Sequence, residues 1–137
     1  MNQLNPYLQF GSKCREIMTF YKECFDGELT LQTVGESPMA SHMPQEAQDA
    51  VLHSALMKDG KTVVMASGVM PETEIKKGNN IALCVVCSSK EEIETLFAKL
   101  SEGGKVGHPL KEEFFGTIGD FTDKFGMNWM LQFGMGK

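Results

Sequence analysis

The chain repeats itself, and a repeat of this size leaves few architectures open. Displaced by 76 positions, Glu16-Ile17-x-Thr19-Phe20-Tyr21 falls on Glu92-Ile93-x-Thr95-Leu96-Phe97, Cys24 on Leu100 and Gly27 on Gly103. A second match, at a displacement of 66, joins Gly60-Lys61-Thr62-Val63-Val64-Met65 to Gly126-Met127-Asn128-Trp129-Met130-Leu131. The halves begin and end alike and differ in the length of the middle. Two copies are fewer than the roughly three that a solenoid needs. The repeat therefore reads as one supersecondary unit built twice, the copies covering each other's apolar faces.

Each copy has the same order of elements. Residues 4–10 read as a strand, with Pro6 tolerable at its start. A helix follows from Ser12, its apolar stripe being Cys14, Ile17, Tyr21, Cys24 and Phe25. Asp26-Gly27 stops it. Residues 28–34 alternate as a strand, 35–48 form a long loop with Pro38 and Pro44, and 51–57 and 62–66 form a hairpin around Lys58-Asp59-Gly60-Lys61. In the second copy a strand at 80–86 precedes a helix opened by the capping box Ser89 to Glu92, with the stripe Ile93, Leu96, Phe97 and Leu100, ended by Gly103-Gly104. Strands at 105–110, 116–121 and 128–133 complete it, with a turn at Asp123-Lys124-Phe125-Gly126. The expectation is an α+β chain of two tandem βαβββ modules, 3–67 and 79–135, joined by a linker at 68–78 into a single domain spanning 1–137.

Composition narrows the partners. Of 137 residues, 42% are hydrophobic and 23% charged, which is globular. A net charge of -5 offers no basic surplus for phosphates, so nucleic acid and anionic membrane surfaces are not expected partners. No apolar run approaches the ~20 residues of a spanning helix, and the first residues lack a signal-peptide pattern. The expected location is the cytoplasm. Cys84-x-x-Cys87 has the spacing of a zinc half-site or redox pair, but it falls in a strand, where residues three apart point to opposite faces. Reduced cysteines serving as small hydrophobes are the simpler reading.

Candidate functional residues are few. Alternation along 51–57 puts His53 on one face with Val51, Ala55 and Met57. It is either a ring bonded to backbone or a cavity-lining group for binding or acid/base work. Tyr7 and Gln9 share a face of the first strand. Trp129 is either core or the apolar wall of a small-molecule pocket, and Phe114-Phe115 either a flap or a dimer contact. Glu112-Glu113 beside Lys111, and His42 in the long loop, read as solvated; His108, before Pro109, reads as a turn residue.

A duplicated βαβββ unit resembles the glyoxalase/bleomycin-resistance/extradiol-dioxygenase group, the vicinal oxygen chelate superfamily, and within it the PhnB-like, demethylubiquinone methyltransferase-like branch. The residues carrying this are 4–10 (Leu4-Asn5-Pro6-Tyr7-Leu8-Gln9-Phe10), Phe20-Tyr21, Phe25-Asp26-Gly27-Glu28, His53-Ser54-Ala55-Leu56, Glu113-Phe114-Phe115-Gly116 and the run from Thr122-Asp123-Lys124-Phe125-Gly126 through Trp129. The resemblance implies two modules whose sheets curl into an open, barrel-like surface around a cavity, in a homodimer. Metal-dependent members place His, Glu or Gln on the first and last strand of each module. Here those positions read as Asn5, Asn80 or Ile81, Val64 and Met130, which do not suit a hard or borderline divalent ion. No glycine-rich loop of the Rossmann type supports methyl transfer. The expectation is therefore no metal and no cofactor, and an apolar cavity bordered by Tyr7, Gln9, His53, Phe115 and Trp129 that binds a small hydrophobic or aromatic molecule. The alternatives are a lyase, isomerase or dioxygenase-type enzyme with a non-standard metal site, with His53 its candidate catalytic group, and a dimer whose cavity is filled by its own side chains.

Overall fold

The structure, a computed structural model, describes residues 1–134, so the expected end of the second module at residue 135 lies outside the described residues. The chain divides into two compact units, Met1–Lys76 and Lys77–Lys137. Each is an open four-stranded mixed sheet with one long helix, an α+β arrangement in which neither sheet closes on itself.

The first unit runs β1 (Tyr7–Gln9), α1 (Cys14–Phe25), β2 (Glu28–Thr33), β3 (Val51–Lys58) and β4 (Lys61–Ser67), in sheet order β1-β4-β3-β2. β1 is parallel to β4 and the other pairs are antiparallel. Pro6 lacks an N–H but joins the sheet through its carbonyl, which accepts the Met65 N–H at 3.0 Å. The stripe of α1, with Cys14, Ile17, Met18, Tyr21 and Cys24 all buried, lies over Ser54, Leu56, Val64 and Ala66, also buried. Each large apolar side chain so covered contributes roughly 1.5–3 kcal/mol. Ser54 is the polar member of this core, and its hydroxyl donates to the Ala66 carbonyl at 2.8 Å. The expected loop at 35–48 is a series of short 3-10 turns, held by the Gln48 amide donating to the carbonyls of Ala40 and Met43.

The second unit repeats this with β5 (Leu83–Cys87), α2 (Lys90–Ser101), β6 (Lys105–Glu113), β7 (Gly116–Thr122) and β8 (Asn128–Phe133), in order β5-β8-β7-β6. β5 is parallel to β8 and the rest antiparallel. Ser89 accepts the Glu92 N–H at 3.0 Å, as the capping box requires. The Glu92 carboxylate reaches one residue further back than expected, to the Ser88 N–H at 2.7 Å. Under α2, Ile93, Leu96, Phe97 and Leu100 meet Phe121, Trp129 and Leu131, with Phe97 edge-on to Phe121 at 4.9 Å.

The duplication holds in topology, with a change of register. Ile17 and Ile93, and Tyr21 and Phe97, occupy equivalent buried helix positions. In the last hairpin, however, Leu56 pairs Val64 where Phe121 pairs Trp129. Val64 therefore corresponds to Trp129 and Met65 to Met130, a displacement of 65 rather than 66. The physical reason is the turn. Asp59 and Gly60, both at positive φ, close the first hairpin in two residues, with a bulge following at Leu56/Met57. The second hairpin instead takes a longer turn around Asp123. Matching Gly60 to Gly126 thus slips the strand by one residue and turns every side chain to the wrong face. After the helices the second unit has one extra residue. The left-handed position is Asp26 in the first unit and Gly103 in the second, and the counterpart of Gly27 is Gly104.

Gly104 also supplies a test of packing. A Cβ there would collide with the Thr122 carbonyl, whereas at Gly78 the nearest atom is 3.6 Å away. Gly104→Ala is expected to cost about 1–3 kcal/mol of unfolding free energy, with Gly78→Ala within about 0.5 kcal/mol of wild type, both read by urea denaturation.

Candidate functional site

Pairing assigns the faces of the first sheet. Tyr7 lies opposite Met65, Met65 opposite Ala55, Ala55 opposite Thr30, and Gln32 opposite His53. These residues, with Gln9 and Met57, face away from α1, while Ser54, Leu56, Val64 and Ala66 face it. Alternation on β3 therefore places His53 as expected, on the open face and exposed.

There the structure brings two of the candidates into contact. The Tyr7 and His53 rings stack with centroids 5.7 Å apart and 27° between planes, and the Tyr7 hydroxyl lies 3.1 Å from His53 Nδ1. Burial pushes the Tyr7 phenol above its ordinary value, nearby Cys14 adds to the rise, and a hydrogen bond from Ser67 opposes it. The phenol therefore keeps its proton at neutral pH, and its hydroxyl can donate to Nδ1 or accept from Nδ1–H according to the ring's tautomer. When it donates, Nε2 carries the ring hydrogen and offers a donor on the open face. Gln9 adds an amide on the same side, opposite Ser67.

The other two candidates lie in the second unit. Trp129 is 2% exposed and stands on the α2-facing side of its sheet, its indole N–H donating to Asp123 Oδ2 at 2.9 Å. Its side chain packs in the core of its unit, where the residue also lines a cleft of about 390 Å³, and the register described above turns Met130, not Trp129, to the open face. Phe115 sits with Phe114 at the tip of the β6–β7 hairpin, rings edge-on at 5.1 Å; Phe114 is fully exposed and Phe115 41% exposed. Glu113 pairs with Lys111 at 3.2 Å in an exposed ion pair. His42 is exposed at the end of a 3-10 turn.

The fold also corrects the positions read as metal ligands. Asn5, Asn80 and Ile81 precede the strands, and Val64 is fully buried under α1. The open-face residues on the first and last strands include Tyr7, Gln9 and Met65 in one unit and Cys84, Met130 and Gln132 in the other. Among the described residues, no group of three or more His, Cys, Asp or Glu side chains is placed to hold a metal.

Sequence reasoning passed over one constellation. His108 is not in a turn but in β6, where Pro109 is tolerated because β6 is an edge strand. Asp120, across on β7, holds its ring at 2.9 Å. The signal available in sequence was Gly107 directly before the histidine, in a strand with no other reason to carry a glycine. Each unit carries a cleft. One of about 390 Å³ in the second unit is lined by Lys105, Gly107, Asp120, Thr122 and Asn128 among others. One of about 620 Å³ in the first unit lies at the start of α1, among Arg15, Glu46, Asp49 and Glu72. In the latter the chain supplies its own anion, since Glu72 accepts both the backbone N–H and the hydroxyl of Ser12.

Cys84 and Cys87 lie on opposite faces of β5, the first exposed and the second buried, as strand geometry demands. Burial, with smaller contributions from Glu92 and Cys84, pushes the Cys87 thiol from 9.0 to about 11. A raised value means that the folded state binds the proton more tightly than the unfolded chain. This contribution to stability is complete below the unfolded value near 9 and is lost as pH rises toward 11. Melting temperature measured across that window should fall less steeply for Cys87→Ala than for wild type, whatever the variant's starting stability.

Comparison with known proteins adds the lineage. The model of the 3-demethylubiquinone-9 3-methyltransferase family matches residues 2–132. Protein YjdN of Escherichia coli K12 is 28% identical over 137 residues, covering 93% of this chain and 92% of its own. The crystal structure of protein PA1353 from Pseudomonas aeruginosa is 32% identical, covers 99% of this chain and 100% of its own, and superposes with a TM-score of 0.84. A putative 3-demethylubiquinone-9 3-methyltransferase, the PhnB protein from Bacillus cereus, is 25% identical over 96% of this chain and 99% of its own, at a TM-score of 0.75. A glyoxalase/bleomycin resistance protein/dioxygenase family enzyme from Burkholderia phytofirmans PsJN shares the fold alone, 10% identical over 94% and 97% of the two chains at a TM-score of 0.61.

Proposed function

The chain belongs to the 3-demethylubiquinone-9 3-methyltransferase family, the PhnB-like branch of the glyoxalase/bleomycin-resistance superfamily, and we propose that it is a metal-independent small-molecule binding protein. Its ligand is a carbonyl-bearing aromatic compound of quinone type, held against the open face of the first sheet. The observation that carries this reading is the Tyr7–His53 contact, 3.1 Å between hydroxyl and Nδ1 with the rings stacked. In this reading the phenol donates to Nδ1 and the imidazole is an Nε2–H donor, and a donor beside a flat ring surface suits a ligand with a π-face and a carbonyl oxygen. Ala55, Met57 and Met65 on the same face offer apolar ground, and thioethers adapt to irregular shapes. Gln9 adds a second donor. Such a site is worth micromolar affinity if it gains roughly 8 kcal/mol in all.

Methyl transfer, which the family name mentions, is not carried into the proposal; the quinone-like ring is. β1 and β2, joined through α1, are not neighbours in the sheet, whose order is β1-β4-β3-β2. The crevice at a topological switch point, where doubly wound folds hold nucleotide cofactors, therefore does not form here. No helix among the described residues is long and apolar enough to cross a membrane.

A panel of benzoquinones and naphthoquinones, titrated by calorimetry, tests the reading. Wild type is expected to bind a member at micromolar concentration. His53→Ala should weaken it about tenfold, near 1.4 kcal/mol, and Tyr7→Phe severalfold through loss of the fixed tautomer. Equal affinity in His53→Ala would remove the site from this face. The reading includes a homodimer, since Ile81, Val86 and Phe114 are each at least 70% exposed and a two-fold contact is the usual way to cover such residues. Light scattering should then give twice the 15.2 kDa chain mass; a monomer at tens of micromolar would contradict it.

A further inference from the structure

The second unit holds a histidine on its own open face in the opposite sense to His53. β6 is bulged between Val106 and His108, and a bulge re-aims the side chain beside it. Gly107 is needed at that point, because a Cβ would collide with Oδ1 of Asp120. The space it leaves lets Asp120 reach His108 twice. Oδ1 accepts the backbone N–H at 3.1 Å, and Oδ2 lies 2.9 Å from ring Nδ1. A carboxylate only accepts, so the proton of the neutral ring is held on Nδ1, and Nε2 presents its lone pair. Nε2 has no hydrogen-bond partner among the described residues. The side chains are 84% and 39% exposed, and an ion pair that open to solvent adds little to stability. What the contact secures is orientation.

Gly107, the chain neighbour of His108, and Asp120, its partner, line the cleft of about 390 Å³ with Lys105, Thr122, Asn128 and Trp129, and His108 stands beside this lining. Thr122 donates its hydroxyl to Asn128, whose amide is committed to the carbonyls of Gly78 and Ile81. The polar capacity left to a ligand is the Lys105 ammonium and the His108–Asp120 pair. We propose that His108 is a proton acceptor for the weakly acidic hydroxyl, phenolic or enolic, of a small molecule lodged in this cleft, with Asp120 as its positioning residue. In the step the ligand O–H bond breaks and its proton passes to Nε2. The bonding pair stays on the ligand oxygen as phenolate or enolate. The imidazolium so formed is held by the Asp120 carboxylate through Nδ1–H, and the anion is placed near Lys105. The site is independent of the Tyr7–His53 reading, lying on a different unit and offering an acceptor where the other offers a donor.

The probe is 4-nitrophenol, whose anion absorbs visible light and whose neutral form does not. With the full chain at a fixed pH just below the probe's own midpoint, binding is expected to raise the anion's absorbance. Nitrogen-15 spectra should show His108 as the Nδ1–H tautomer without probe and as imidazolium with it. His108→Gln and Asp120→Asn should each lower the absorbance gain about tenfold at equal probe concentration. Asp120→Asn should also release the tautomer, a change that a merely structural role would not produce. Gly107→Ala should repeat the Asp120→Asn result, and His42→Gln should leave the signal unchanged. The proposal fails if wild type gives no anion signal, if His108→Gln keeps it, if the signal instead follows His53→Gln, or if the probe-free ring is the Nε2–H tautomer.

Discussion

The Asp123 carboxylate settles the geometry of the second unit. It is 3% exposed and takes three donors: the backbone N–H groups of Phe125 and Met127 at 2.9 and 3.0 Å through Oδ1, and the Trp129 indole at 2.9 Å through Oδ2. A buried carboxylate is tolerable only when it is satisfied in this way. The two backbone bonds shape the turn between β7 and β8, and the indole bond fixes which face β8 presents on leaving it. Trp129 must then lie under α2, Leu131 follows it two residues on, and Met130 and Gln132 turn to the open side. One side chain thereby sets the loop, the core and the candidate site face together. Removing its charge in place, as in Asp123→Asn, would leave an amide N–H among groups that are already donors.

The first unit reaches the same register by another route, with left-handed Asp59 and Gly60 and a bulge in place of the carboxylate. Two hairpins that differ in turn chemistry but arrive at one topology show what the fold constrains. The helix-covered faces cannot vary much, because Leu56 with Val64 and Phe121 with Trp129 are packed against a helix stripe, where a lost methylene costs on the order of 1 kcal/mol. The open faces carry no such load and have diverged. At the position of Ala55 in one unit stands Asp120 in the other, and at that of His53 stands Ile118.

Much of this was legible in the sequence, and what was not has an identifiable cause. The helix stripes were read correctly because a 3.6-residue period over twelve residues is a strong signal, and Ser89 and Glu92 marked the start of the second. The alternation on β3 sufficed to put His53 on an open face. The register of β8 was not legible, because the glycine falls one residue later in the second turn, so that aligning Gly60 with Gly126 inverts the strand, and only the pairing and the hydrogen bonds of Asp123 reveal it. For the same reason the sequence left Trp129 open between core and pocket wall; its side chain is buried under α2 and the residue also lines the cleft of its unit. His108 was read as a turn because Pro109 follows it; an edge strand tolerates proline, and whether a strand lies at an edge is a fact of the sheet, absent from its local sequence.

The partner of each histidine decides its chemistry more than its burial does, as both rings are exposed. A carboxylate beside Nδ1 must accept, leaving Nε2 of a neutral ring bare, whereas a phenol beside Nδ1 can serve as donor or acceptor. Each open face thus carries one imidazole with a polar neighbour at its Nδ1, Tyr7 at His53 and Asp120 at His108, and the chemistry of that neighbour limits what the ring can offer in return.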